Sequence, residues 1–326
     1  MQILVLGGTR FIGPHVVEAL QVSGHHVTVF NRGQTPDALQ GVSHLRGDRV
    51  SGEVSALQGL SFDATIDMSA YFPRAVNQVL EVLADPGFYC LVSSISAYAS
   101  MAAPDQDESA PLATVSDPAT EDPTGGDYGG LKVLCEQALS ATSHRHAIVR
   151  PGLVVGPGDH TDRFTYWPVR ASEGGPLLAP GSPDDPVQWV DARDFAAFVR
   201  LLVESGTSGM FNVVTPPRTL TMGGLMSAIS TVLGRPLDLT WLPAGRLGEF
   251  GLQPWADLPA WLPPEGDYAG AGTFSTAVAQ AAGLVTRPLE ETVADVLGWW
   301  RGLPEARRRL RTGLSREQMN EVLTAF

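Results

Sequence analysis

Short apolar runs alternate with amphipathic stretches along the first half of the chain. Ile3–Leu6 is a continuous apolar run that stops at a pair of glycines, which predicts a buried strand. Helical periodicity then covers Phe11–Val22 and ends at Ser23-Gly24. Pro14 is compatible with that helix, because a proline in the first turn removes an N–H that has no partner there. Strands are predicted again at His26–Phe30, His44–Arg46, Ala64–Met68, Phe88–Ser93 and Ala147–Arg150, with helices over Pro73–Ala84 and Tyr128–Thr142. Strands alternating with helices imply a parallel sheet with right-handed crossovers. The expected class is α/β, a doubly wound parallel sheet.

The pattern changes beyond Pro151. Segments 156–186 and 215–272 are rich in Gly, Pro and Trp and show little periodicity, while Asp191–Val203 reads as a helix and Phe211–Val214 as a strand returning to the sheet. The sheet domain is therefore expected to comprise residues 1–155 joined by 189–214. A smaller, discontinuous second domain takes 156–188 and 215–273, and a helical segment takes 274–326. Ser315 and Gln318 carry the capping-box signature of its last helix. Ala99–Asp127, rich in Ala, Pro, Asp and Ser, interrupts the alternation. A loop this long inside a domain reads as a cover over a functional site, with a tolerated surface insertion as the alternative.

Composition narrows the class. Hydrophobic residues make up 44% and charged residues 17%, an ordinary globular mixture. No apolar run approaches the ~20 residues that cross a bilayer, and the first residues enter the strand without a basic stretch or signal-like core. Two cysteines, Cys90 and Cys135, lack any pairing pattern, so a reducing, cytoplasmic setting is expected. None of the seven histidines has metal-ligand spacing, so no metal is expected. The net charge of −13 opposes nucleic-acid binding. The basic run Arg307–Arg311 reads as a solvated helix face.

The strand-to-helix turn reads Gly7-Gly8-Thr9-Arg10-Phe11-Ile12-Gly13. Glycines permit a sharp turn and close approach to a pyrophosphate, and the following helix aims its N–H groups and positive dipole end at the same anion. A glycine cluster alone is a weak signal. Between a buried strand and an amphipathic helix it predicts a dinucleotide-binding Rossmann domain. Arg10 stands where the middle glycine is usual, so its side chain must turn away from the pyrophosphate or pair with another anion. At the end of the second strand, Asn31-Arg32 replaces the carboxylate that would accept from a ribose 2′-OH. A neutral amide and a guanidinium suit a 2′-phosphate, so NADP is expected, with NAD possible. The alternative is that Arg32 is an ordinary surface residue. Asp48 is placed near the adenine.

Tyr128 and Lys132 are four residues apart, which puts a phenol and an ammonium on one helix face. A free phenol titrates near ~10 and exchanges protons poorly at neutral pH unless a cation supports the phenolate. Lys132 is the candidate cation and a candidate ligand for the nicotinamide ribose. Ser94 follows the strand containing Phe88–Ser93, at the sheet edge where ligands sit, and is the candidate to hold a substrate oxygen.

The chain resembles the extended short-chain dehydrogenases/reductases of the NAD(P)-dependent epimerase/dehydratase family. The turn at 7–13, Ser94, Tyr128 with Lys132, Arg150-Pro151-Gly152 through Gly156-Pro157-Gly158, and Trp189-Val190-Asp191 with Asp194 fall in that family's order. The resemblance implies an acid/base Tyr128, a supporting Lys132, a substrate-orienting Ser94, a cleft beneath the second domain, and a homodimer through the helices near 73–84 and 128–142. Two departures stand out. Arg10 is shared with a bacterial subgroup and with plastid proteins reported to bind RNA. Ile95-Ser96 occupies the place of the Asp-Glu pair used in sugar-nucleotide dehydration, which argues against that chemistry.

Substrate-side candidates are Ser94, Asp159, Arg163 for an anionic group, and Trp167 as an apolar wall; a purely structural role in a Pro/Gly-rich loop is the competing reading. Asp191 reads as a helix cap, and Trp255 and Trp261 as core or cleft residues. The expected function is NADP(H)-dependent hydride transfer to or from a CH–OH/C=O carbon of a sugar-like or other polar small molecule. The alternatives are an NAD(P)-dependent epimerase and a non-catalytic dinucleotide sensor or RNA-binding protein.

Overall fold

The computed structural model describes residues 1–35, 39–117, 119–124 and 126–326. In chain order the elements are β1 (Gln2–Leu6), α1 (Ile12–Val22), β2 (His26–Asn31), β3 (Ser43–Arg46), β4 (Ala64–Asp67), α2 (Pro73–Val82), β5 (Phe88–Val92), α3 (Tyr128–Ser140) and β6 (His146–Pro151). They continue as β7 (Leu153–Val155), α4 (Tyr166–Ser172), β8 (Leu177–Pro180), β9 (Trp189–Asp191), α5 (Ala192–Ser205), β10 (Gly209–Val213), α6 (Met222–Leu233) and β11 (Leu239–Leu242). The chain closes with α7 (Ala277–Ala281), α8 (Leu289–Gly302) and α9 (Arg316–Ala325).

Seven parallel strands form the main sheet in the order β10-β6-β5-β4-β1-β2-β3. Because side chains alternate across a strand, Ile3 and Val5 of β1 enter the core shared with α1 and α5, whereas Leu4 and Leu6 enter the core shared with α2 and α3. A strand buried on both faces needs apolar residues at every position, which is why β1 reads as an unbroken run. The strand order reverses between β1 and β4. Such a switch point opens a crevice at the carboxyl ends of the strands.

Two small parallel pairs lie outside the main sheet, β8 with β11 and β7 with β9. A second core includes Phe164, Trp167, Trp189, Met226, Leu242 and Trp261. The C-terminal segment carries α7, α8 and α9. Val296 and Trp300 of α8 and Met319 and Val322 of α9 complete this same core, because an amphipathic helix must bury its apolar face against something. The basic run is not a helix face. Arg307 ends a 3₁₀ turn, and Arg308 and Arg309 are exposed in irregular chain. A proline at 304 and the lack of any apolar stripe leave nothing to hold a helix there. The four strands of the two small pairs are only three or four residues long. Runs that short carry no readable period.

The segment after β5 is pinned on several sides. Tyr98 bridges Leu112 in antiparallel fashion, and Ala113 donates to the Ala97 carbonyl at 2.8 Å. Gly270 donates to the Met101 carbonyl at 2.7 Å and Ser275 to that of Gln106 at 2.8 Å, tying the segment to the second domain. Among the described residues no helix is long and apolar enough to cross a membrane, and no group of His, Cys, Asp and Glu could hold a metal ion.

Candidate active site

The crevice at the switch point is a cleft of about 440 Å³. Gly7, Thr9, Arg10, Phe11, Ile12, Asn31, Arg32 and Asp48 line it, so the structure brings these expected binding residues to one place. Gly13 lies just behind. A Cβ there would fall 2.2 Å from the Gly8 carbonyl carbon, so only glycine lets α1 start this close to the turn. Phe11, the N-cap of α1, has φ of 38°, a costly backbone for a non-glycine residue. Its ring meets His160 edge-on at 6.4 Å, and His160 brings the second domain to the rim of the cleft. Arg10 is exposed at that rim.

At the far end of the cleft, Asn31 accepts from the Gly33 amide at 2.7 Å through Oδ1. Its Nδ2 is buried with no partner among the described residues. A buried amide donor without an acceptor is costly in isolation, and its place in the cleft suits an oxygen-rich ligand. Together with the glycine cradle and the N-terminus of α1, it makes the residues present fit a dinucleotide. Asp48 lines the same end, although one of its oxygens already accepts from the Val50 amide at 2.9 Å.

Tyr71 and Val92 close the other end of the cleft. Here Ser94, Tyr128 and Lys132 gather. Ser94 is half-buried and caps a 3₁₀ turn, its Oγ accepting from the Ser96 amide at 3.1 Å. Burial raises the Tyr128 phenol above its ordinary pKa, Tyr71 adds to the rise, and the Ser94 hydroxyl offsets part of it. Lys132 is 3% exposed. Its Nζ donates to the carbonyls of Ala70 and Val92, each at 2.7 Å, and burial lowers its pKa. These two bonds hold the ammonium between the end of β5 and the chain that follows β4, and Tyr128 is not among its hydrogen-bond partners.

The helix start itself depends on close approach. A Cβ on Gly129 would fall 2.0 Å from the Ser96 carbonyl oxygen, and one on Gly130 would fall 2.6 Å from that of Thr114. The two glycines between Tyr128 and Leu131 let the segment after β5 lie directly on the start of α3.

Two expected substrate residues are elsewhere. Trp167 is wholly buried in the second core, with Nε1 donating to the Pro259 carbonyl at 2.7 Å, so it is a packing residue and not a cleft wall. Asp159 is 1% exposed, and its carboxylate is taken by the amide and hydroxyl of Thr161, both at 2.8 Å. It stabilises its own turn, and burial raises its pKa. Arg163 remains half-exposed, stacked 5.3 Å above the Trp255 ring. Trp261 is core, with Nε1 bonded to Asp185 at 2.8 Å. Asp191 caps α5 by accepting from the Arg193 amide at 2.9 Å.

Arg49, Ser69, Tyr71 and His160 line the cleft without having been anticipated from the sequence. Ser69 and Tyr71 carried a readable signal, since they follow β4 at the same sheet edge as the glycine turn. Arg49 carried none.

A model of the NAD dependent epimerase/dehydratase family matches residues 3–68 and 73–213. The epimerase family protein SDR39U1 of Bos taurus is 27% identical over 259 residues, covering 72% of this chain and 82% of that protein. The chloroplast stem-loop binding protein of 41 kDa b of Arabidopsis thaliana is 28% identical over 254 residues, covering 72% and 64%. The crystal structure of human SDR39U1 (isoform 2) with NADPH superposes with a TM-score of 0.63 at 22% identity, over 91% of this chain and 99% of that one.

Proposed function

The chain belongs to the NAD dependent epimerase/dehydratase family, and we propose that within it the protein is an NADP(H)-dependent oxidoreductase acting on the CH–OH/C=O carbon of a sugar-like or other polar small molecule. One observation carries this reading. A single cleft has Asn31 and Arg32 at the end of β2, with Asp48 nearby, and leads at its other end to Tyr71 and Val92, beside Ser94, Tyr128 and Lys132. The NADPH in the human SDR39U1 structure supports the cofactor preference.

The dinucleotide, when bound, supplies or accepts the hydride. The backbone of Gly7-Gly8-Thr9 and the first turn of α1 bind the pyrophosphate. Asn31 Nδ2 and the Arg32 guanidinium take the phosphate-bearing ribose. Ser94 orients the substrate oxygen, and Tyr128 holds or delivers a proton at its phenolic oxygen. A phenol carries its proton at neutral pH, so Tyr128 is in the form that protonates a carbonyl oxygen as hydride arrives; burial makes it a weaker acid, not a stronger one. Arg163, stacked on Trp255, is the remaining candidate for an anionic substrate group.

The test is a titration of intrinsic tryptophan fluorescence with NADPH and NADH, followed by a screen of polar carbonyl compounds read by absorbance of the reduced nicotinamide. Tighter binding of NADPH and turnover of at least one compound are expected. Binding of neither dinucleotide, with tight salt-sensitive capture of RNA, would transfer the protein to the RNA-binding reading.

A further inference from the structure

Tyr128, Lys132 and Glu136 recur every fourth residue of α3 and therefore form one stripe along the helix. The first belongs to the proposed chemistry, and the second holds the chain beside it. Glu136 does not reach the cleft, yet it is only 3% exposed, and so is Ser93, the residue next to Ser94. The Ser93 hydroxyl donates to Glu136 Oε1 at 2.5 Å. Arg150 of β6, wholly buried, grips the same carboxylate through Nε at 2.9 Å and an η nitrogen at 2.6 Å.

A buried ion pair is a poor device for stability, since apolar residues of equal volume often do as well; its better attested use is to fix one register among several. Here the register lies between α3 and the end of β5. Lys132 holds the Val92 carbonyl, Glu136 holds the Ser93 side chain, and Ser94 is the next residue along. Two rivets on successive turns of one helix thus set where the chain leaves the strand. Arg150 completes the arrangement. Its guanidinium also lies 4.9 Å from the Tyr98 ring centre, and the Tyr98 hydroxyl donates to Asn212 of β10 at 2.6 Å. The Asn212 backbone N–H in turn donates to Glu108, in the segment that follows β5, at 2.8 Å.

We propose that Glu136 is a positioning residue: by accepting the Ser93 hydroxyl it fixes the separation of Ser94 from Tyr128. The proposal rests on Ser94 and Tyr128 acting together as described above. It predicts that removing the serine hydroxyl loosens the strand exit and the start of α3 while leaving the dinucleotide cleft intact.

Ser93→Ala is the informative variant, because Glu136 keeps its two-point contact with Arg150 and no buried charge is stranded. Ser93→Thr restores a hydroxyl at the same place. Two readouts are needed. Hydrogen exchange followed by mass spectrometry should rise in peptides covering residues 93–98 and 128–136 of Ser93→Ala and nowhere else. In the same variant kcat should fall about 10- to 100-fold with dinucleotide affinity within about twofold of wild type, the size expected for misplacing a reacting group by a fraction of an ångström to an ångström. Ser93→Thr should recover both. Unchanged exchange in the two segments overturns the proposal, as does a rise spread over the whole protein, which would make the contact merely structural. If the wild-type protein transfers no hydride to any substrate, the carbonyl screen fails separately and the exchange pattern alone decides.

Discussion

The guanidinium of Arg49 grips both oxygens of Asp67, at 2.6 and 2.7 Å, on the wall of the dinucleotide cleft. Asp67 ends β4 and is wholly buried, and the Tyr89 hydroxyl donates to it as well at 2.8 Å. The pair joins the Gly47–Val50 loop to the strand beside the switch point. Burial alone would push the Asp67 carboxyl up, but the Arg49 charge and the hydrogen bonds from Arg49, Tyr89 and the Ser69 amide outweigh it and hold the group below the ordinary carboxylate range.

A carboxyl depressed on folding stabilises the protein above its unfolded pKa, near ~3.9, and that stability is lost as the pH falls through the folded value. Asp67→Asn strands the buried guanidinium and should cost about 3–5 kcal/mol at neutral pH. Urea unfolding measures the loss. The variant's stability should also fall less steeply than wild type on acidification below about pH 4; parallel acid slopes would remove Asp67 from the account.

Tyr128→Phe keeps the ring and deletes the proton-bearing atom. Dinucleotide affinity, measured by fluorescence titration, should persist while turnover falls by roughly two orders of magnitude or more. Unchanged turnover would exclude the phenol from the mechanism.

Arg32→Asp places a carboxylate where a 2′-phosphate is expected to sit. NADPH binding should weaken by about tenfold or more, with NADH weakened less or strengthened, because a charge-assisted bond is exchanged for a like-charge contact. Equal effects on both dinucleotides would make Arg32 an ordinary surface residue.

Two glycine substitutions should act in opposite directions. Gly129→Ala drives a Cβ to 2.0 Å from the Ser96 carbonyl oxygen, and overpacking of this kind costs about 1–3 kcal/mol. Displacement of Tyr128 should lower turnover as well. Gly298, exposed in the middle of α8, has open space around it, so Gly298→Ala should stabilise by about 0.5–1 kcal/mol without touching activity. Thermal melts and initial rates separate the two.

The sequence by itself determined those features whose cause is local. The run Ile3–Leu6, the glycines after it and the helix over Ile12–Val22 are adjacent in the chain, so strand, turn and anion-binding helix start could be read together. The four-residue spacing of Tyr128 and Lys132 likewise needs only a helix to share a face. Tertiary structure decided which partner each polar group takes. Lys132 turns to the carbonyls of Ala70 and Val92, Asp159 closes its own turn, Trp167 goes to the second core, and Ser93, just past β5, and Arg150 of β6 meet on Glu136 of α3. Those contacts join residues 14 to 92 positions apart wherever they cross between elements. Periodicity describes neighbours along one element; pairings across elements arise only once the sheet has placed its strands side by side.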